Sequence, residues 1–239
     1  MTLADTPKAA FLGALYTVLC LIGGLLLGIA AGSAVFSALP GHTTTNPSPV
    51  LMLAAAVPAL LGMFAGAAAW GVLMGRLASE TNWRRMALAG GLGFAPIAIM
   101  VGLLLQVLEP IAVKQLGAQV PLHRLFTFIF VPAAFLVAGV GAWALGIGLR
   151  NRALAWALFW RAGLAAALAF LAVNLIMEAS GRVVGAPHAA ESFTMLTVMF
   201  VSDMAAALAA GAVIGLLLAR RSSVTLPNMA PSPNVAPSR

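Results

Sequence analysis

Asp203 stands in the apolar run 193–218, eleven residues after Ser192. At 1.5 Å of rise per residue that is about 16 Å along a helix, close to the middle of a hydrocarbon layer ~30 Å thick. An ionisable group at that depth costs roughly 2.5 to 3.5 kcal/mol on insertion scales, and such groups face protein or water. Its chemistry would be proton carriage or cation binding. The plainer alternative is a protonated aspartic acid bonded to a carbonyl of a neighbouring helix.

Two further polar pairs are spaced to act together. Gln106 and Glu109 are three apart in one apolar run, and Asn174 and Glu178 are four apart in another. On a helix each pair sets a carboxamide one turn from a carboxylate on the same face. Ser33 and Ser37 hold comparable positions in the first run. Convergent polar groups of this kind in an apolar bundle are the usual form of a ligand site, here an outer vestibule. The competing reading has each acid at the water boundary, paired with Lys114 or Arg182 of its own loop.

His42, His123 and His188 are the three histidines of the chain, and each falls in a different connection between apolar runs. Three imidazoles with an open fourth position suit zinc or copper, and two with Glu109 and Glu178 suit a carboxylate-rich divalent metal site. None has the local ligand spacing that makes a metal motif specific, such as His-Glu-x-x-His. As ordinary polar loop residues they need no metal at all. Nucleophile-elbow and P-loop signatures are missing, so the expectation is a protein that is not an enzyme.

The elements that must position these residues are membrane spans. Of 239 residues, 62% are hydrophobic and 8% charged, far from the ~25% charged of a soluble domain. Six apolar runs approach or exceed the ~20 residues that cross a bilayer as helix: 10–36, 50–73, 86–108, 126–149, 162–177 and 193–218. The first is too long for the ~7 to 15 apolar residues of a secretory signal, and is read as a true span. The fifth is the least defined, because Arg161 interrupts a stretch beginning near Ala153. Residues 153–160 are read as an interfacial lead-in. The single Cys20 lies within the first span, which excludes disulfides and cysteine-based metal clusters.

The net charge of +7 is unevenly placed. With both termini on one side, Lys8, Arg76, Arg84, Arg85, Arg150, Arg152, Arg161, Arg220, Arg221 and Arg239 share that side, and Lys114, Arg124 and Arg182 face the other. The positive-inside rule makes the first side cytoplasmic. Trp83, Trp156 and Trp160 beside these arginines fit an interfacial aromatic belt. The bases are spread over short loops and form no stripe, which argues against a nucleic-acid partner.

A repeat organises the spans. Glu109, Lys114, Gly117, Pro121, His123 and Phe126-Thr127 recur in order as Glu178, Arg182, Gly185, Pro187, His188 and Phe193-Thr194. Shifts of 74 and 70 residues lay the second, fourth and sixth spans over one another, aligning Pro58, Pro132 and Ser202, then Arg76, Arg150 and Arg220. The expected fold is all-α: six transmembrane helices as three helical hairpins, about 8–77, 84–152 and 160–221, around a pseudo-threefold axis. Gly24, Gly28 and Gly32, Gly62 and Gly66, Gly71 and Gly75, and Gly211 and Gly215 form small-residue faces for close packing, or for a homo-oligomer. Residues 222–239, rich in Pro, Ser and Asn, read as a disordered cytoplasmic tail.

The resulting expectation is a polytopic bacterial inner-membrane protein that binds or passes a small solute or cation through an outer-facing vestibule. Asp203 lies below, with Gln106, Glu109, Asn174 and Glu178 at the mouth. A structural or assembly subunit of a larger membrane complex is the alternative, and an outer-face His/Glu metalloprotein the third reading.

Overall fold

Runs of apolar residues in a bilayer satisfy their backbone internally, and the described spans do so as helix. The computed structural model describes residues 5–39, 49–116, 122–180 and 188–224. Helix α1 (Asp5–Thr17) and helix α2 (Gly23–Ala38) are joined by one π-helical turn, Val18–Ile22, into a first span. There follow α3 (Pro49–Leu77), α4 (Trp83–Leu116), α5 (Leu122–Gly148), α6 (Arg152–Ala179) and α7 (His188–Val224). Six stretches of these are long and apolar enough to cross a membrane: Thr6–Ala38, Ala56–Leu77, Trp83–Leu108, Phe126–Gly148, Arg152–Ala179 and Thr197–Arg221. The architecture is that of an all-α, multi-pass membrane protein.

Residues 153–160, read from sequence as an interfacial lead-in, are helical and continuous with α6 from Arg152. The Asn151 side chain accepts from the Leu154 backbone N–H at 2.9 Å, an N-cap that starts the helix there. Arg161 lies on the exposed side of α6, so it does not interrupt the buried stripe.

Each span packs on its neighbours in the chain, and the first packs on the last, so the six close into a ring. Across the ring α3, α5 and α7 also touch one another. Among the described residues, the first span, α4 and α6 make no such mutual contact. The spans therefore alternate between positions nearer to and farther from the centre.

Glycines set how closely the ring draws together. A Cβ on Gly62 would stand 2.6 Å from the Gly28 Cα, and one on Gly24 would stand 2.7 Å from the Gly66 Cα. The first span and α3 thus cross backbone to backbone. Gly71 and Gly90 do the same between α3 and α4, and Gly13, Gly211 and Gly215 between α1 and α7. These small-residue faces are spent inside the chain.

The short turns α3–α4 and α5–α6 share one geometry. Ser79 and Arg150 adopt positive φ of 57° and 54°, while Glu80 N donates to Gly75 O at 2.9 Å and Asn151 N to Gly146 O at 3.0 Å. Both are Schellman-type helix ends. They pair Ser79 with Arg150, a register three residues away from the one that sets Arg76 against Arg150.

Fully buried side chains gather toward this arginine-bearing end. Trp70, Met74, Met86, Leu145, Leu158, Ile214 and Leu218 form one continuous core. Arg221 Nη2 reaches back to Leu149 O at 3.3 Å, supplying a cation to the C-terminal end of α5. Large apolar side chains such as Leu27, Phe128 and Ile176 point outward, as a lipid-facing surface requires.

Candidate functional site

Small residues leave space where large ones would fill it. On α7 the positions Asp203, Ala207, Ala210 and Ile214 recur at helical spacing on one face, with Ala206 beside them. Facing them on α5 are Phe130, Ala133, Ala134, Val137 and Ala138. Alanines opposite alanines at the centre of a ring cannot meet, and a cavity of about 300 Å³ remains between them. All six spans line it: Thr17, Leu21, Ile22 and Leu25 from the first, Met63 and Trp70 from α3, Phe94 and Ala98 from α4, and Ala166 from α6 complete the wall.

The floor is held by a long-range hydrogen bond. Trp70 Nε1 donates to Thr17 Oγ1 at 3.0 Å, and Thr17 Oγ1 donates in turn to Gly13 O at 2.8 Å. Both side chains are almost wholly buried. The hydroxyl thus competes for a main-chain acceptor directly before the π-helical turn, where Gly23 N is bonded to Val18 O. That turn carries Leu21 and Ile22 into the cavity wall. Trp70 lies against Phe94, with ring centroids 5.9 Å apart and planes at 56°.

Among the described residues lining this space, Asp203 is the one that is ionisable. Its carboxylate opens onto the cavity, and among the described residues it has no hydrogen-bond or ion-pair partner. The residue before it is held quite differently. Ser202 is completely buried, donates to Val198 O at 2.7 Å and accepts from Asn174 Nδ2 at 3.0 Å. A helix turns about 100° per residue, so anchoring Ser202 against α6 aims Asp203 inward.

Asn174 is the hub of a second polar group. Its Nδ2 also donates to Phe170 O at 2.9 Å, and its Oδ1 accepts from Thr127 Oγ1 at 3.4 Å. One turn farther along α6, Glu178 Oε1 accepts from Arg124 Nε at 2.9 Å and Nη2 at 2.6 Å. Arg124, Thr127, Asn174 and Glu178 edge a groove of about 750 Å³ between α5 and α6, floored by Phe128, Val131, Pro132, Leu171 and Leu175. This groove shares no lining residue with the central cavity.

The residues expected from the sequence are thus distributed over several places. Asp203 faces the central cavity, and Asn174 and Glu178 edge the groove. Gln106 is exposed on α4 and lines neither space. The side chains of Glu109, His123 and His188, and the whole of His42, lie outside the described residues, as do residues 117–121 and 181–187 of the repeated loops and the tail beyond Val224. Among the described residues no three of His, Cys, Asp and Glu come together as metal ligands. Sequence reasoning missed Thr17, Trp70 and Arg124. Thr17 and Trp70 are 53 residues apart, and nothing local marks either for the other.

Comparison with models of known protein families, with curated proteins and with solved structures finds no match.

Proposed function

We propose that this chain is an inner-membrane protein that binds or passes a small solute or cation through its central cavity, with Asp203 as the group that meets it. One observation carries the reading. A carboxylate with no partner among the described residues opens onto a space bounded by all six spans. Keeping a charge-bearing side chain in an apolar setting is costly, and intramembrane acids mark ion or substrate pathways for that reason. Gln106, Glu109, Asn174 and Glu178 are proposed as a polar outer rim, of which Asn174 and Glu178 edge the α5–α6 groove and not the central cavity. The three hairpins surround a pseudo-threefold axis, a reading favoured by the alternation of nearer and farther spans. The concentration of arginines at one end supports cytoplasmic termini.

Purified protein in proteoliposomes tests this directly. Asp203→Asn should abolish any proton-coupled flux, and pH-dependent flux undiminished in the variant would remove Asp203 from the pathway.

A subunit role in a larger membrane complex is the second reading. It draws on an aromatic surface of α5 and α6, where Phe135, Trp143, Trp156, Phe159 and Trp160 lie ring against ring, with the three tryptophans exposed. Purification in mild detergent separates the two, since a subunit co-migrates with partners and a transporter runs alone or as a homo-oligomer.

A further inference from the structure

We infer that the solute of the central cavity is a small organic cation with an apolar body, such as an arylalkylammonium, bound through its charge to Asp203. This inference rests on the cavity reading above and names its ligand class. The charge balance comes first. Among the described residues one carboxylate and no other ionisable side chain line the cavity, so a single positive charge completes it.

An inorganic cation is poorly served by the same wall. Calcium takes six to eight oxygen ligands, and magnesium about six in octahedral array. Besides Asp203, the only side-chain oxygen on the wall among the described residues is the Thr17 hydroxyl, which already donates to Gly13 O and accepts from Trp70. Prolines in helices free the carbonyl four residues earlier. For Pro58 and Pro132 those carbonyls belong to Ala54 and Phe128, neither of which lines the cavity. A bare ion would lose its water and find one carboxylate.

An ammonium on an apolar body finds much more. The remaining wall is alanine, aliphatic side chains and the aromatic groups of Trp70, Phe94 and Phe130, the last backed by Phe170 in a stacked pair at 6.3 Å. Rings of this kind attract a desolvated cation by their quadrupole and pack an aryl or alkyl body by dispersion. Size narrows the class further. A cavity of about 300 Å³, at the ~30 Å³ that one water takes up in the liquid, has the room of roughly ten waters, enough for a small organic body. Below Asp203 the cavity face of α7 is Ala206, Ala207 and Ala210, so the apolar body has its place directly beneath the charge.

Isothermal titration of the full chain in lipid nanodiscs tests this with 2-phenylethylammonium, its uncharged counterpart 2-phenylethanol, and sodium and calcium chloride. The ammonium should bind at least about tenfold more tightly than the alcohol, and Asp203→Asn should weaken it by at least about tenfold while leaving the alcohol unchanged. Ala207→Phe, which fills the cavity without touching the charge, should abolish ammonium binding. If Asp203→Asn does not fold, Ala207→Phe and Ala134→Phe decide, and retained binding in both overturns the site. Equal binding of ammonium and alcohol overturns the cation and leaves a neutral-solute cavity. Displacement of the ammonium by calcium or sodium at matched ionic strength overturns the organic class in favour of a simple ion. Should no probe bind while Asp203→Asn still abolishes proton-coupled flux, the inference fails and the cavity reading stands. Should flux also be indifferent to Asp203, both fail.

Discussion

Asn174 on α6 donates a hydrogen bond to Ser202 on α7 at 3.0 Å, and the next residue along α7 is Asp203, whose carboxylate faces the central cavity. Two adjacent polar residues therefore serve two different surfaces of one helix. Ser202 fixes the rotation of α7, and Asp203 uses that rotation. Inter-helical hydrogen bonds in membrane proteins contribute about 0.6 kcal/mol on average, with a ceiling near 1.7. Ser202→Ala should accordingly lower the unfolding free energy in mixed micelles by about that amount. In a cycle with Asn174→Ala the two effects should be less than additive, because both remove the same bond. Wild-type stability in Ser202→Ala, or strict additivity with Asn174→Ala, would count against this account of the helix rotation.

Thr17 and Trp70 pose a sharper case, because the indole N–H is buried and Thr17 Oγ1 is its acceptor. Thr17→Val keeps the shape and deletes the acceptor, leaving a buried donor unpaired at a cost of about 1 to 3 kcal/mol. Thr17→Ser keeps the acceptor and should lose much less. Trp70→Phe removes the donor as well, so Thr17→Val introduced into that background should cost clearly less than it does alone. Denaturant titration of the four proteins measures this, and equal losses for Val and Ser at position 17 would show that the hydrogen bond carries no weight.

The glycines divide into two classes that a single substitution tells apart. Gly62 meets the backbone of the first span, with a Cβ 2.6 Å from the Gly28 Cα, whereas a Cβ on Gly102 meets nothing within 4 Å. Gly62→Ala must push two backbones apart, and overpacking of this kind costs about 1 to 3 kcal/mol. Gly102→Ala has open space and gains the better helix former, worth up to about 1 kcal/mol in an exposed helix. Thermal unfolding in one detergent should move down for the first and stay level or rise for the second. A fall of the same size in both would mean that helix approach is not what Gly62 provides.

These three cases also show what could be read from the residues alone. Span number and position were legible because hydrocarbon thickness fixes a length of apolar chain, and Asp203 stood out because its cost is local to its own helix. The glycine faces were legible as spacing, but which helix each would meet was not; Gly24 finds Gly62 and Gly66, and Gly13 finds Gly211 and Gly215. The cavity was hidden for a related reason. It is made of alanines on α5 and α7 that face each other, and an alanine leaves the same mark in sequence whether it packs or leaves a void. The fifth span was the least defined from sequence because Arg161 interrupts its apolar stretch, while the helix itself runs unbroken from Arg152. Arg124 was missed as a partner for Glu178 because sequence proximity favoured Arg182, while packing of α5 on α6 brings a residue 54 positions away within 2.6 Å.

Arg124 and Glu178 test how much that ion pair contributes. It ties the start of α5 to the end of α6, and both Arg124 bonds reach the same carboxylate oxygen. The side chains are 57% and 26% exposed, so water and salt screen them, and exposed pairs couple by about 0.2 to 1 kcal/mol. A double-mutant cycle with Arg124→Gln and Glu178→Gln should give a coupling inside that range at low salt, and it should shrink in 0.5 M salt as the Debye length falls to a few ångströms. Binding in the central cavity should not respond, because the pair lines the α5–α6 groove and not the space in front of Asp203. Were Arg124→Gln to weaken 2-phenylethylammonium binding as strongly as Asp203→Asn does, the groove and the cavity would have to be parts of one pathway, and the separation seen between their walls would belong to only one state of the protein.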